Sequence, residues 1–297
     1  MLKIISNYSD RIDKYVANNS EISRNDIKEL IENGAVFVNS IKINKPKFIV
    51  KEGDEILIER LLDKQIKVEP QNIHLDIVYE CDDYLIINKP SGLVVHPAPG
   101  HHDNTLVNAL MYHFKNNLSD VNGLLRMGVV HRIDKDTSGL LLIAKNNKAH
   151  NYFASLLKTH EIKRSYYAIV EGKIANEELH IELPIGRDTK NRQKYAVSET
   201  NSKPAYTIVN VVKYFKMNNK DFSLVKCNLK TGRTHQIRVH LAYIKHPVYG
   251  DPIYGHKIDD FNQRLHAFAL DFVDLNGNNK HFEAEMPEIM KKEITGE

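Results

Sequence analysis

A polar loop between two apolar runs constrains the fold of this chain most strongly. Gly128 to Val130 lead into nine residues, His131 to Gly139, and a second apolar run, Leu140 to Ala144, leads away. Short apolar runs on either side of a cluster of Gly, Ser, Asp and Thr predict two buried strands joined by a turn. Because strands would fix this turn to a rigid sheet, its charged side chains are the first candidates for a functional site.

The residues of this loop allow two interpretations. Asp136, Thr137 and Ser138 are of types that bond their own backbone in turns, which favours a structural role. Gly139 supplies a backbone angle or a close approach that a side chain would forbid. Asp134 follows a buried residue and lies between two basic ones, where a carboxylate stays ionised and can act as a nucleophile. The spacing alone leaves both a structural and a catalytic role open for Asp134.

Five stretches of the sequence together resemble one protein family. They are NKPSGLVVHPAPG (88–100), HRIDKDTSGLLLIAK (131–145), KRSYYAIVEG (163–172), TGRTHQIRVHL (231–241) and HPVYGDPIYG (246–255). The second is similar to the signature of the RluA/RluD family of RNA pseudouridine synthases, whose usual form has Leu where this chain has Ile133. The stretches occur in the family's order over most of residues 80–270, so the chain is identified as a member of that family, with the RluD branch most similar.

The resemblance implies a role for each matched residue. Asp134 would be the catalytic nucleophile and Tyr166 the active-site tyrosine. Arg233 would be the basic partner that keeps Asp134 ionised and oriented. Arg132 would fill the place that an extruded uridine leaves in the RNA. Further residues would support the active site, with the last of them packing beside the tyrosine: His131, Thr137, Gly139 and Ile237.

The expected reaction sets physical demands that these residues meet. Pseudouridine formation breaks the bond from ribose C1′ to N1 of uracil and remakes it to C5, so the resemblance implies neither a cofactor nor a metal. A uridine inside folded RNA must first leave its stack, and an aromatic ring such as Tyr166 can hold the extruded base by stacking. The sequence leaves open whether Asp134 attacks C1′, attacks C6 of the base, or assists loss of a ribose proton with Tyr166 as a candidate base.

Residues 1–60 are predicted to form a separate RNA-binding unit. Ile27, Leu30 and Ile31 have the spacing of a helix that buries one face, and alternating segments with a turn at Gly53-Asp54 follow. The stretch SRNDIKELIENGAVFVNSIKINKP resembles an S4 RNA-binding domain, although bases and acids balance in this segment. The candidate RNA contacts on this unit are Arg11, Arg24, Lys28 and Lys45.

The rest of the chain is predicted to be a linker, residues 61–75, and a catalytic domain, residues 76–297. The resemblance implies an α+β fold with a long, mainly antiparallel sheet. Residues 163–172 alternate as a strand does, and residues 205–215 and 222–229 predict two paired strands. Helices are predicted after a cap at Asp103 or Asn104, over residues 147–157, and after a cap at Thr231 or Thr234.

Composition and charge set outer limits on location and partners. The chain has 42% hydrophobic and 27% charged residues and no segment that resembles a signal peptide or a membrane span. Cys81 and Cys227 form no metal or redox motif, which favours the reducing cytoplasm. Residues 211–240 carry seven Lys or Arg against one acid, consistent with phosphate contacts, although lysines scattered along strands are equally explained as solvated faces.

The similarity of the motif sequences to the RluD branch favours 23S ribosomal RNA or a precursor large-subunit particle as the partner. The enzyme is expected to be a monomer. Another ribosomal position or a transfer RNA is the alternative with the same chemistry. Two other classes compete. An S4 RNA-binding protein without catalysis would be favoured by loss of Asp134, which is present. A hydrolase using Asp134 and Asp136 as a carboxylate pair is disfavoured, because residues two apart around a turn need not face one site.

Overall fold

The chain forms two compact units, Met1–Ile66 and Lys67–Glu297. A computed structural model describes residues 2–20, 22, 24–59, 68–97, 102–115, 117–189, 191 and 194–296. No helix among these residues has the length and apolar composition needed to cross a membrane.

The first unit is a small α/β module with its own core. Its four-stranded sheet has the order β1-β6-β3-β4, with β2 and β5 paired separately. Its elements are β1 (Leu2–Ile5), β2 (Asp10–Arg11), α1 (Ile12–Asn18), α2 (Arg24–Glu32), β3 (Val36–Val38), β4 (Ile41–Lys42), β5 (Ile49–Val50) and β6 (Glu55–Ile58). The predicted helical stripe is confirmed in α2, where Ile27, Leu30 and Ile31 are buried in a core with the inner faces of the strands.

The second unit is built on a nine-stranded sheet. Its path runs β11-β15-β16-β10-β17-β9-β8-β7, with β18 paired to β17, and a separate three-stranded sheet has the order β13-β12-β14. The strands are β7 (Ile77–Glu80), β8 (Tyr84–Lys89), β9 (Ser138–Ala144), β10 (Lys163–Glu171), β11 (Glu178–Glu182), β12 (Ile185–Arg187), β13 (Tyr195–Val197), β14 (Ser202–Lys203), β15 (Tyr206–Met217), β16 (Lys220–Leu229), β17 (Leu265–Val273) and β18 (Asn279–Glu283). The mixed fold and mainly antiparallel sheet agree with the prediction.

One parallel pairing interrupts this antiparallel sheet and positions the polar loop. β9 runs parallel to β17, with Ser138 opposite His266 and Gly139 opposite Ala267. The Ser138 hydroxyl and His266 Nδ1 are 2.9 Å apart in a hydrogen bond. β17 also pairs with β10, so the end of the polar loop is fixed beside the strand that carries Tyr166.

The helices of the second unit cover the two faces of its sheet. They are α3 (Leu106–Phe114), α4 (Asn147–Lys158), α5 (Gln236–Tyr243), α6 (Glu288–Thr295) and one 3-10 turn (Leu124–Arg126). The alternation predicted for β10 is confirmed, because Tyr166, Ala168 and Val170 pack into one core cluster while Ile169 packs into another. The sheet thus has an apolar core on both faces.

Two predicted helix caps are wrong. α3 begins after Thr105, whose hydroxyl accepts a hydrogen bond from the Asn108 backbone N–H while the Asn108 side chain accepts one from Thr105. α5 begins after His235, which has φ +57° and makes no side-chain cap. Thr231 instead donates its hydroxyl proton to Gln236 Oε1 at 2.7 Å. At α3 a residue closer to the helix forms the cap, whereas at the start of α5 the residue before the helix makes no side-chain cap.

The strand predicted before the polar loop does not form as expected. Val129 makes an isolated antiparallel bridge with Ile143, while only the second apolar run becomes a strand, β9. Gly128 adopts φ +71° and its backbone N–H bonds to Ser119 O at 2.7 Å. The chain therefore turns into the loop at Gly128 instead of extending.

The predicted linker is described only from Val68 onward, since residues 60–67 lie outside the described residues. Val68 is buried in the main core cluster of the second unit. The backbone of Glu69 accepts a hydrogen bond from the Asn108 side chain at 2.8 Å, and that of Ile73 is 2.8 Å from His113 Nε2. Residues 68–73 therefore pack as part of the second unit.

Candidate active site

A cavity of about 510 Å³ opens beside the polar loop. It lies between this loop, the end of α4, strand β10 and the start of α5. Asp134, Tyr166 and Ile237, which the sequence analysis assigned to one site, all line it. The volume falls within the range of pockets that hold small-molecule ligands and cofactors, so it can hold one extruded nucleotide.

Asp134 is a partly buried carboxylate held by one ion pair. Its side chain is 19% exposed, and its Oδ2 accepts a hydrogen bond from Arg238 Nη1 at 2.9 Å. Within the described part of the chain Oδ1 accepts no hydrogen bond, and it lies 3.9 Å from His235 Nε2. The pair therefore fixes the carboxylate through one oxygen and leaves the other without a hydrogen bond among the described residues.

Arg238 is itself fixed by a second carboxylate. Its Nε and Nη2 donate to the two oxygens of Asp251 at 2.6 and 2.8 Å. Asp251 is fully buried and also accepts the backbone N–H groups of Ile253 and Tyr254. Burial lowers the pKa of Arg238, but the hydrogen bonds that it donates to Asp251 and the charge of Asp134 outweigh this effect and raise the pKa above its usual value. Arg238 is therefore a permanent cation with a fixed orientation.

The prediction that Arg233 pairs with Asp134 is wrong, because a different arginine makes this ion pair. Arg233 lies three residues before α5, where its Nε donates to the carbonyl of Pro204 at 2.8 Å. It lines the cavity but Arg238, within the first turn of α5, makes the ion pair. A signal was present in the sequence: Arg238 precedes the apolar Leu241 by three residues, so the two are neighbours on the surface of a helix, and a buried arginine requires an acidic partner.

Tyr166 presents its ring to the cavity from β10 and is 6% exposed. Burial raises the pKa of its phenol; the charge of Arg164 opposes this shift and the charge of Asp134 adds to it. Near neutral pH Tyr166 is therefore a protonated phenol with an apolar ring. This state suits stacking against a base better than removal of a proton.

The residues predicted to support the site hold the loop in place. His131 Nε2 accepts the backbone N–H of Leu142 at 3.1 Å, and burial together with Arg164 lowers the pKa of His131 to about 3. The Thr137 hydroxyl accepts a 3.3 Å hydrogen bond from the Gln263 side-chain amide. Gly139 has φ +113°, and a Cβ there would lie 2.2 Å from the carbonyl oxygen of Ala267, so only glycine fits.

Lys89 is a buried support that the sequence analysis missed. It is 1% exposed, and its ammonium group donates to the carbonyls of Pro90, Leu93 and Lys135 at 2.7 to 2.9 Å. Burial lowers the pKa of Lys89 to about 7, against the charges of Asp136 and Asp134. The contact to Lys135 ties the loop next to Asp134 to the end of β8. The NKP stretch was the available signal, because a lysine that ends a buried strand needs several acceptors.

Arg132 is exposed at the mouth of the cavity. Its Nη1 lies 3.1 Å from His96 Nε2. Since a guanidinium only donates, His96 Nε2 accepts this bond and the imidazole is neutral. Burial and the charges of Arg132 and Arg126 lower the pKa of His96 to about 4, which keeps this acceptor available at neutral pH.

Two of the four candidate RNA contacts on the first unit have an internal partner. Arg11 donates from Nε and Nη2 to both oxygens of the fully buried Asp13, and Arg24 Nε donates to the same carboxylate at 3.0 Å. Burial raises the pKa of Asp13, but the hydrogen bonds from the two arginines outweigh it and lower the pKa. Lys28 is half-buried and Lys45 is exposed, so these lysines remain the stronger candidates.

Comparison with known proteins identifies the family of the chain. Residues 83–243 match the family model for RNA pseudouridylate synthase, and residues 10–56 match that for the S4 domain. RNA pseudouridine synthase YlyB of Bacillus subtilis, named as uncharacterized, is 44% identical over 96% of this chain and 93% of its own. Ribosomal large subunit pseudouridine synthase D of Zymomonas mobilis is 41% identical over 95% of this chain and 92% of its own.

A solved structure shows the same fold. Human RNA Pseudouridylate Synthase Domain Containing 1 has a TM-score of 0.60 and 26% identity, covering 72% of this chain and 84% of its own. The family match spans the polar loop, α4, β10 and α5, which line the cavity. The chain therefore belongs to the RNA pseudouridylate synthase family, isomerases that convert uridine to pseudouridine, and carries an S4 domain.

Proposed function

We propose that this enzyme isomerises specific uridines of large-subunit ribosomal RNA in the cytoplasm, with Asp134 as the catalytic residue. The observation that carries the catalytic assignment is the Asp134 carboxylate, held by Arg238 in a cavity that also contains the Tyr166 ring. The RNA target is supported by relatives named ribosomal large subunit pseudouridine synthase D, which are 37% to 41% identical to this chain.

In this proposal the target uridine leaves its stack and enters the cavity, which costs a few kcal/mol in lost stacking. Tyr166 stacks on the base, and the exposed Arg132 occupies the position that the base vacates. The ion pair between Asp134 and Arg238 remains in place, so the carboxylate meets its target with one oxygen already oriented.

Asp134 then either attacks the substrate or assists a proton transfer. Either step frees the uracil so that it can rotate. The bond between C1′ and N1 breaks, C5 bonds to C1′, the proton on C5 is released to water, and N1 takes up a proton from water. Attack at C1′ or at C6 uses Asp134 as a nucleophile. In the remaining route Tyr166 would act as a base and remove a ribose proton. The raised pKa of Tyr166 disfavours this route, since a protonated phenol accepts no proton.

Asp134→Asn tests the catalytic assignment. An amide has nearly the shape of the carboxylate but is a poor nucleophile, so turnover should be abolished while RNA affinity stays within a few-fold. Tritium release from RNA that contains 5-tritiated uridine measures turnover, and a binding isotherm measures RNA affinity. Substantial release by the variant would exclude Asp134 as the catalytic residue.

The RNA target requires a separate measurement. Pseudouridines in ribosomal and transfer RNA are mapped by carbodiimide treatment and primer extension in a strain that lacks the gene. The proposal expects the loss of one or more stops in large-subunit ribosomal RNA, restored by the wild-type gene and not by Asp134→Asn. Loss of stops only in transfer RNA or in small-subunit RNA would contradict the proposed target and leave the chemistry intact.

A further inference from the structure

Arg164 lies in the candidate active site but has no role in the reaction described so far. It precedes Tyr166 by two residues on β10, so both side chains leave the same face of the sheet, and both line the cavity. Arg164 is only 9% exposed. The end of its guanidinium lies against Gly232, where a Cβ would be 2.7 Å from Nη1. Gly232 is exposed, so the guanidinium lies near the rim of the cavity.

The Arg164 side chain is buried, and its guanidinium has no partner among the residues that the structure describes. Among the described residues Arg164 makes no hydrogen bond or ion pair, and its Nε is a buried donor with no acceptor. The other deeply buried arginines differ. Arg238 has Asp134 and Asp251, and Arg264, 1% exposed, binds Asp259 and Glu293. An unpaired buried cation destabilises the free protein, so this arrangement calls for an anion that arrives with a ligand.

The surroundings of Arg164 define the chemistry of that anion. Asp134 is the one acidic side chain in the described cavity lining, and Arg238 already binds it. Lys158, His160 and Arg233 line the same cavity near the rim. Uracil and ribose are neutral, so phosphate is the only anionic group that an RNA substrate brings to this place.

We propose that Arg164 binds a phosphate group of the RNA backbone next to the extruded uridine. The proposal rests on the function proposed above and adds a substrate contact to it. A phosphate held at the rim would set how far the nucleotide enters the cavity, and thereby the distance from ribose C1′ to Asp134. The guanidinium fork suits two phosphate oxygens at once, which a lysine does not offer.

Nucleotide binding tests the contact apart from turnover. The full chain is titrated with uridine, uridine 5′-monophosphate and uridine 3′-monophosphate, followed by NMR. One of the two nucleotides should bind the wild-type protein roughly 10- to 100-fold more tightly than uridine, as expected for hydrogen bonds to a charged group. Arg164→Gln should remove this difference and leave uridine affinity unchanged.

Lys163→Gln is the matched control. It removes the same formal charge from the neighbouring residue of the same strand, but Lys163 is exposed and leaves the opposite face. This variant should keep the preference for the nucleotide to within about twofold, as expected for an exposed charge. An equal loss of preference in both variants would assign the effect to net charge and overturn the proposal.

Three other outcomes would also overturn it. Equal affinity of wild-type protein for uridine and both nucleotides would remove the phosphate contact. Parallel loss of uridine and nucleotide affinity in Arg164→Gln would assign Arg164 to the base. If Arg164→Gln leaves the affinities for uridine and both nucleotides unchanged but shifts the pH–rate profile, Arg164 acts on Tyr166 and not on a phosphate. If the wild-type protein shows the preference but turns over no RNA, the proposed function fails and the phosphate contact stands.

Thermal stability gives an independent readout. Since Arg164 is buried and has no partner in the described part of the chain, Arg164→Gln should leave the Tm unchanged or raise it. Arg264→Gln, which strands two carboxylates, should lower the Tm by several degrees. An equal fall of Tm in Arg164→Gln would show that Arg164 is satisfied within the protein, and the proposal would be wrong.

Discussion

At the scale of single residues, the ion pair that resemblance suggested for Arg233 is made by Arg238, the second arginine of the TGRTHQIRVHL stretch. Arg238 binds both Asp134 and Asp251, whereas Arg233 bonds to a backbone carbonyl at the edge of the cavity. In the proposed function Arg238 therefore acts on Asp134, and we expect Arg233, at the rim of the cavity, to contact RNA. Substitutions of the two arginines should therefore affect different properties of the enzyme, the single-turnover rate for Arg238 and RNA binding for Arg233.

Arg238→Lys should lower the single-turnover rate by roughly 100-fold or more, because a lysine cannot reach both carboxylates with fixed geometry. Breaking this buried pair should also destabilise the protein by about 3 kcal/mol. Arg233→Gln should instead weaken RNA binding and reduce the salt slope of binding by about one, with the rate at saturating RNA unchanged. Rates and isotherms at several salt concentrations separate the two. The reverse pattern would restore the original assignment of Arg233.

The residue scale also shows what the sequence could predict. Asp134, Tyr166 and Ile237 come from three separate stretches, and motif matching brought them to one cavity correctly. Arg238 and Lys89 escaped because their roles depend on partners that the sequence does not reveal. Asp251 lies in a different stretch from Arg238, and Lys89 binds only backbone carbonyls, which leave no pattern of residue types.

At the scale of elements, strands were predicted better than the turns between them. The strand predicted over 163–172 forms as β10, and the pair predicted over 205–215 and 222–229 forms as β15 and β16, because apolar patterns in strands are set by which face is buried. Caps and turns failed where a long-range contact decides the local backbone, as in the αL conformation of His235 or the turn at Gly128. The parallel pairing of β9 with β17 is a long-range contact of the same kind, and local sequence did not reveal it.

Gly139→Ala tests how far this pairing depends on one missing side chain. The new Cβ would lie 2.2 Å from the Ala267 carbonyl oxygen and 2.6 Å from its nitrogen, both on the facing strand. We expect a loss of roughly 3 kcal/mol or more in the free energy of unfolding, from overpacking in addition to the positive φ. Gly277→Ala is the control, because its φ is +81° but nothing lies within 4 Å of the new Cβ. It should cost about 1 to 2 kcal/mol. Equal losses in urea unfolding would mean that the contact with Ala267 is relieved without cost.

At the scale of the whole molecule, buried neutral histidines make stability depend on pH. Burial lowers the pKa of His131 to about 3 and that of His266 to about 4. His96, more exposed, is lowered to about 4. In the unfolded chain histidine binds a proton near pH 6.5. The unfolded state therefore takes up protons first as pH falls, and the folded state loses stability between about pH 6.5 and 4.

We expect the free energy of unfolding to fall by about 1 kcal/mol per pH unit for each of His131 and His266 in this window, and by less for His96. Urea unfolding at pH 7, 6 and 5 measures the slope. His266→Gln should reduce the slope by about one proton's contribution, whereas His256→Gln, on an exposed side chain, controls for the substitution itself. A slope of the opposite sign, or one unaffected by His266→Gln, would contradict the assignment.

The line from Asp134 through Arg238 to Asp251 has a consequence for charge balance along the proposed covalent routes. Two carboxylates share one guanidinium, so the trio carries one net negative charge before reaction. When Asp134 becomes an ester its charge is neutralised, and the trio becomes neutral overall. Asp251 still balances the charge of Arg238, so the intermediate contains no buried cation without a counterion. The second carboxylate therefore acts as a resident counterion. One negative charge can pass from Asp134 to the substrate while Arg238 and Asp251 stay in place.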